Sequence, residues 1–210
     1  MASSESQQDI KKFLDNVYGE VSAVSVSIKA RQKLNIYDDR NYVYGDFELA
    51  SLYEILNEIK PRAGEVFYDL GSGGGKVAMF AALAFPFAKC VGVELLEDLH
   101  GLSADVLGRL KNKLNEENFV KKPDDININF ICGDLLKADV SDADVIYTYS
   151  TCFDQNVMSN LAKVLEEQLK PGARVITVTK SLPSEKFKIV REGKYNVEWG
   201  QATVFFQEKI

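Results

Sequence analysis

Val66-Phe67-Tyr68-Asp69-Leu70-Gly71-Ser72-Gly73-Gly74-Gly75-Lys76 is the stretch that decides the fold. A short apolar strand runs into a glycine-rich turn and then into an apolar helical run, Val77 to Ala84. Glycine lets the backbone take positive φ and approach a ligand closely, so strand, turn and helix N-terminus together form a nucleotide-cofactor cradle. Asp69, just ahead of the first glycine, narrows the choice of cofactor. A carboxylate there repels a pyrophosphate seated on the helix N-terminus and attracts a cofactor with a cationic amino-acid end. The pattern favours S-adenosylmethionine over NAD or ATP, and with it a methyltransferase.

Outward from this turn, strands and helices alternate. Strands are expected at Val66–Leu70, Cys90–Val93, Ile126–Cys132, Val145–Tyr149 and Arg174–Thr179. Between them fall helices at Val77–Ala84, Glu97–Asn118 and Gln155–Leu169, the last closed by Lys170-Pro171-Gly172. Parallel strands need such crossovers. Phe187–Arg191 and Thr203–Gln207 read as an antiparallel hairpin at one edge. Upstream, Ser6 or an earlier serine caps a helix with Ile10, Phe13, Leu14, Val17 and Val21 on one face. Helical stretches follow at Val24–Leu34 and Phe47–Ile59, with Asn35–Tyr44 as a loop over the site. The expected fold class is α/β, a doubly wound, mostly parallel, seven-stranded Rossmann-like sheet. Residues 1–60 form an N-terminal helical extension or lid, and 61–210 the cofactor-binding domain.

Three acids stand at the carboxyl ends of successive strands, the edge where open α/β sheets bind ligands. Asp69 faces the methionine ammonium. Glu94 lies 23 residues beyond Gly71, a spacing at which an acid hydrogen-bonds ribose hydroxyls. Asp134, in Cys132-Gly133-Asp134-Leu135, accepts from the adenine amino group while Leu135 packs on the ring. Gly71, Ser72 and Gly73 supply the cradle, Lys76 reaches the cofactor carboxylate, and Tyr44 covers the cofactor as part of the lid. For Asp134 a loop acid or helix cap, and for Lys76 a solvated helix residue, remain open alternatives.

Composition sets bounds on partners. The chain has 210 residues, 46% of them hydrophobic, and a net charge of −6. That supports one globular core and argues against disorder. Its lysines and arginines come in short clusters separated by acids, not in the basic stripe that holds a nucleic acid. No apolar run is long enough to span a bilayer. Met1 to Gln8 lacks the basic and apolar regions of a signal peptide. Cys90, Cys132 and Cys152 match no zinc spacing and no disulfide framework, and are expected as buried apolar fillers, Cys152 excepted by its position near the site, in a reducing, intracellular setting, cytoplasmic or nuclear. No metal site is expected. His100, the only histidine, is placed on the long helix away from the strand ends, in a surface or structural role.

Beyond the cradle, the chain resembles the non-SET histone lysine methyltransferases, the disruptor-of-telomeric-silencing family. Tyr44-Gly45-Asp46 with Phe47-Glu48-Leu49 resembles that family's Tyr-Gly-Glu segment and following helix. Val66 to Gly73 resembles its Val-Asp-Leu-Gly-Ser-Gly motif, and Gly92-Val93-Glu94 its Gly-Val-Glu. Val197-Glu198-Trp199 and Phe205-Phe206 are similar to its Trp-containing hairpin. The likeness runs from about Tyr42 to the C-terminus and implies the class I methyltransferase fold, S-adenosylmethionine and a protein lysine as acceptor. At one place the chain departs from the family. The Asn-Asn-Phe-Ala-Phe type signature is replaced by Tyr149-Ser150-Thr151-Cys152-Phe153, in which only Phe153 matches.

That replaced stretch is the expected acceptor pocket. Alternation puts Tyr147 and Tyr149 on one strand face. Tyr149 and Phe153 bracket the acceptor and face the sulfonium charge. Ser150 and Thr151 orient its lone pair, or else cap the helix that begins near Asp154. The partner implied is a methyl acceptor of protein character. A small-molecule methyltransferase and a cofactor-binding module without turnover stay open beside it.

Overall fold

The computed structural model describes residues 6–45, 48–117, 119–197 and 200–210. Ser6 caps the first helix, α1 (Gln7–Tyr18), in a reciprocal box with Asp9. Helices α2 (Ala23–Lys33) and α3 (Leu49–Glu58) follow. Then come β1 (Val66–Leu70), α4 (Lys76–Ala84), β2 (Lys89–Glu94), α5 (Glu97–Glu116), β3 (Ile128–Cys132) and β4 (Val145–Thr148). The chain continues as α6 (Gln155–Gln168), β5 (Arg174–Val178), β6 (Phe187–Val197) and β7 (Gly200–Lys209).

The strands form one sheet in the order β3-β2-β1-β4-β5-β7-β6. The first five are parallel; β7 runs antiparallel beside β5, with β6 outermost. This is the doubly wound sheet with a terminal hairpin read from the sequence. Chain direction across the sheet reverses between β1 and β4, the switch point where such folds open a crevice at the strand tips.

Alternation divides each strand between two cores. Phe67, Val145, Tyr147 and Ile176 join the cluster built by α1, α3, α4 and α5, while Tyr68, Leu70, Ile146 and Val175 join Met158, Leu161 and Leu165 of α6. Ile10, Phe13, Leu14 and Val17 of α1 belong to the first cluster, so the N-terminal helices share the sheet's own core.

The main differences from the sequence reading lie at element ends. The fourth strand stops at Thr148, and Tyr149 opens a 3-10 turn over Ser150–Cys152. The terminal strands are about twice the expected length, because Glu192, Gly193 and Lys194 in the middle of β6 read as a loop and hide a strand that forms at the sheet edge. Cys90 is buried, but Cys132 is exposed at the end of edge strand β3, and Cys152 is half-buried in the turn. Asp46, Phe47, Asn118, Glu198 and Trp199 lie outside the described residues, and with them part of the Tyr-Gly-Asp segment and of the Trp hairpin. No helix among the described residues is long and apolar enough to cross a membrane.

Candidate functional site

A cleft of about 200 Å³ opens at the switch point, walled by the β1, β2 and β3 tips, the loop before α3 and the turn after β4. Gly71, Glu94, Asp134 and Leu135 line it, faced by Tyr149 and Phe153. It narrows past Tyr44, Gly45, Gly71 and Tyr149 into a smaller pocket holding Asp69, Ser72, Lys76 and Tyr147.

The floor follows from strand register. Phe130, Gly92, Asp69, Tyr147 and Ile176 stand in one row across five strands. Partners in register point to the same face, so Asp69 is carried into the apolar core side of the sheet. It is only 2% exposed, and its Oδ2 has no hydrogen-bond partner. Burial first, and the Glu94 charge second, push its carboxyl well above the usual carboxylate range. Gly92 is fixed by the same row, because a Cβ there meets the Phe130 ring at 2.6 Å and Ser72 Oγ at 2.7 Å.

Glu94 is held by the turn it serves. Gly73 N–H donates to its Oε2 and Leu96 N–H to its Oε1, both at 2.8 Å. Burial nonetheless leaves its carboxyl raised, against those two bonds. The turn itself is hung on β2, with Gly71 and Ser72 N–H donating to the Val93 carbonyl at 2.9 and 3.0 Å. Asp134 accepts from Leu136 N–H through Oδ1 at 2.9 Å, which fixes the turn and leaves the carboxylate at the cleft wall.

Two tyrosines interlock with two glycines at the waist between the pockets. Gly73 has φ 53°, and the Tyr44 ring lies where its Cβ would stand. The Tyr149 ring lies 2.8 Å from the place of a Cβ at Gly45. Lys76, the first residue of α4, lines the smaller pocket, with its ammonium 5.5 Å from the Tyr18 ring centre.

On the acceptor side the structure separates the expected residues. Tyr149 and Phe153 line the cleft, and Phe153 packs beneath Gly71. Ser150 does not reach it: fully buried, it donates its hydroxyl to the Val178 carbonyl at 2.7 Å. Thr151 pairs with Thr179, Oγ1 to Oγ1 at 2.9 Å, outside the lining. Neither caps α6, a task Asp154 performs by accepting from Val157 N–H. His100 is nearer the site than its helix position suggested. Its Nε2 lies 3.3 Å from the Phe130 carbonyl, at the edge strand that floors the cleft.

Sequence reasoning missed Asn41 and Tyr42, which form the cleft wall opposite α6. Asn41 Oδ1 accepts from Asp154 N–H at 2.7 Å, and its Nδ2 donates to Asp154 Oδ2 at 3.2 Å. This reciprocal pair ties the loop before α3 across the cleft. Burial first, then the charges of Asp39 and Asp134, raise the pKa of Tyr42. The only sequence signal was the density of Asn, Asp and Tyr in residues 35–44.

With this geometry in view, a model of the family described as "Histone methylation protein DOT1" matches residues 23–199. The chain belongs to the DOT1 family. The histone-lysine N-methyltransferase, H3 lysine-79 specific, of Eremothecium gossypii is 26% identical over 146 residues, which is 69% of this chain and 25% of that protein. The chain thus spans about a quarter of the length of that DOT1-family relative. A protein-lysine N-methyltransferase of Saccharolobus islandicus is 29% identical over 123 residues, 59% of this chain and 67% of the relative. Among solved structures, an RNA methyltransferase from Salinibacter ruber in complex with S-adenosyl-L-homocysteine aligns with a TM-score of 0.59 at 26% identity. The alignment covers 78% of this chain and 93% of that one.

The cofactor implied by this DOT1-family fold fits the residues present. A buried carboxylate oxygen with no partner, a glycine turn too tight for side chains, and acids at consecutive strand tips suit a cationic, adenosine-linked ligand.

Proposed function

We propose that this chain is an S-adenosylmethionine-dependent protein-lysine methyltransferase. The observation that carries the reading is Asp69, a carboxylate buried at the base of the pocket with an oxygen that lacks a partner. An unpaired buried acid is costly, and a cation opposite it removes that cost. Glu94 presents its remaining lone pairs to a ribose, and Asp134 with Leu135 forms the adenine end. Lys76 and the N-terminus of α4 suit a carboxylate.

When bound, the cofactor supplies an already activated methyl group on a sulfonium. The protein's work is positioning and exclusion of water. Tyr149 and Phe153 wall the reacting end, and their ring faces favour the positive charge there. Burial among Tyr147, Tyr149 and Phe153 favours the neutral form of an approaching amine, which frees its lone pair. The protein-lysine acceptor rests on the family match and on the names of the relatives, which include protein-lysine as well as histone-lysine enzymes.

Calorimetry with S-adenosylmethionine tests the first half of this reading, and saturable binding is expected. A labelled-methyl assay on cell extract, with and without protease digestion, tests the second. Label is expected in protein, on lysine. Label confined to small molecules overturns the acceptor class, and no binding at millimolar ligand overturns the whole.

A further inference from the structure

The turn between the two aromatic cleft residues is held from a distant segment. Lys180, just past β5, donates from Nζ to the Thr151 carbonyl at 3.2 Å and to the Phe153 carbonyl. Ser150 returns the tie by donating its hydroxyl to Val178 O, with Lys180 O 3.3 Å away. Thr179, between them, has φ 73°. For a β-branched residue that is a strained, left-handed backbone, the kind that persists when surrounding structure holds it and that gathers at functional sites. Its hydroxyl meets that of Thr151, and its N–H donates to the Thr203 carbonyl at 2.7 Å. The sharp turn at Thr179 thus brings the lysine ammonium and the Val178 carbonyl to bear on one short turn.

We propose that Lys180 is a positioning residue for the acceptor side of the cleft, fixing Tyr149 and Phe153 through the main chain between them. Its ammonium is half-buried and both its hydrogen-bond partners are carbonyls of the Ser150–Phe153 segment. A charged donor to a carbonyl is stronger than a neutral one, so the hold is firm. Glu94, Asp69 and Asp134 belong to other strand tips, and the bonds from Lys180 go to the main chain of the turn after β4. Tyr149 and Phe153 share their cleft with Glu94 and Asp134, so the lysine is expected to act chiefly on rate and to a smaller extent on cofactor affinity. The inference rests on the methyltransferase reading above.

The test compares the whole protein with Lys180→Met and Lys180→Arg in three measurements: cofactor affinity, methyl transfer to cell-extract protein at fixed extract concentration with kcat and KM read for labelled S-adenosylmethionine, and amide hydrogen exchange over residues 149–157. Lys180→Met is expected to change its cofactor Kd much less than its rate, to speed exchange in that segment alone, and to lower kcat by about 10- to 100-fold, the scale of a roughly 1 Å misplacement. Lys180→Arg, which keeps charged donors, is expected to recover part of the rate. Unchanged exchange overturns the proposal, as does faster exchange with unchanged kcat and KM. If Lys180→Met does not fold, Lys180→Gln, which keeps a donor without the charge, is read the same way. If the wild type binds cofactor yet transfers no methyl group, the enzymatic reading fails by itself. The exchange pattern then still decides whether Lys180 holds the turn.

Discussion

The tips of β1, β2 and β3 and the tips of β4 and β5 share one edge of one sheet, yet they are built differently. The first group presents carboxylates: Asp69 buried with an unpartnered oxygen, Glu94 buried between the Gly73 and Leu96 N–H groups, and Asp134 half-buried at the cleft wall. The second presents aromatic rings carried on a turn that is tied to residues almost thirty positions away. One half uses charge to recognise a ligand, and its glycine turn is bonded to the tip of the neighbouring strand, Val93 and Glu94. The other uses shape and apolar walls, and its turn is bonded to the chain just past β5. The cofactor half should therefore respond to substitution in affinity, and the acceptor half in rate.

Glu94→Ala challenges that division most severely. It removes the acceptor of two backbone donors as well as a ligand contact, and each buried group left unpaired costs about 1–3 kcal/mol. Denaturant unfolding without ligand should show a clear loss of stability, and calorimetry a further loss of affinity. Wild-type stability would mean that the carboxylate is not part of the turn's framework.

Asp69→Asn comes next and separates binding from folding. Losing one charged partner should weaken S-adenosylmethionine binding by about 1.5–3 kcal/mol, roughly 10- to 150-fold. Without ligand the same variant should be the more stable protein. Asp69 has a pKa raised above its ordinary 3.8 on folding. An acid so shifted adds stability below its unfolded pKa and withdraws it as pH rises through the folded value. Melting curves should show the advantage of Asp69→Asn growing as pH rises from about 4. Wild-type affinity should strengthen over the same range, with proton release on binding where the free carboxyl is still protonated. A pH-independent difference between the two proteins would overturn the assignment.

Smaller effects sharpen the contrast. Asp134→Ala should weaken cofactor binding by about 1 kcal/mol, the worth of one ordinary hydrogen bond. Thr151→Ala, at an exposed hydroxyl pair, should change stability by less than about 0.5 kcal/mol and leave cofactor affinity untouched.

The same division explains what could be read before the structure. Asp69, Glu94 and Asp134 were legible because each stands at a strand end in a fixed relation to glycine, and strand ends are where alternation and turn chemistry leave their marks. Ser150 was not: a serine beside an aromatic reads as a site hydroxyl, and only the approach of Val178 shows that it is structural. Lys180 gave no local signal at all. Asn41 and Tyr42 sat in a loop whose composition suggested a cover, but the bond to Asp154 joins residues 113 positions apart. The mostly parallel, doubly wound class of the sheet followed from the strand–helix alternation. The length of β6 did not, because charged residues on an edge strand imitate a loop.

The interlocked rings and glycines also constrain how descendants of this chain can change. Gly45 is not in the left-handed region that favours glycine, and the nearest atoms to a Cβ there belong to the Tyr149 ring. Changes at these two positions are therefore coupled: the ring must move or shrink for the glycine to be replaced. An acceptor wall rebuilt for another substrate would carry that coupling as a paired change on opposite sides of the opening.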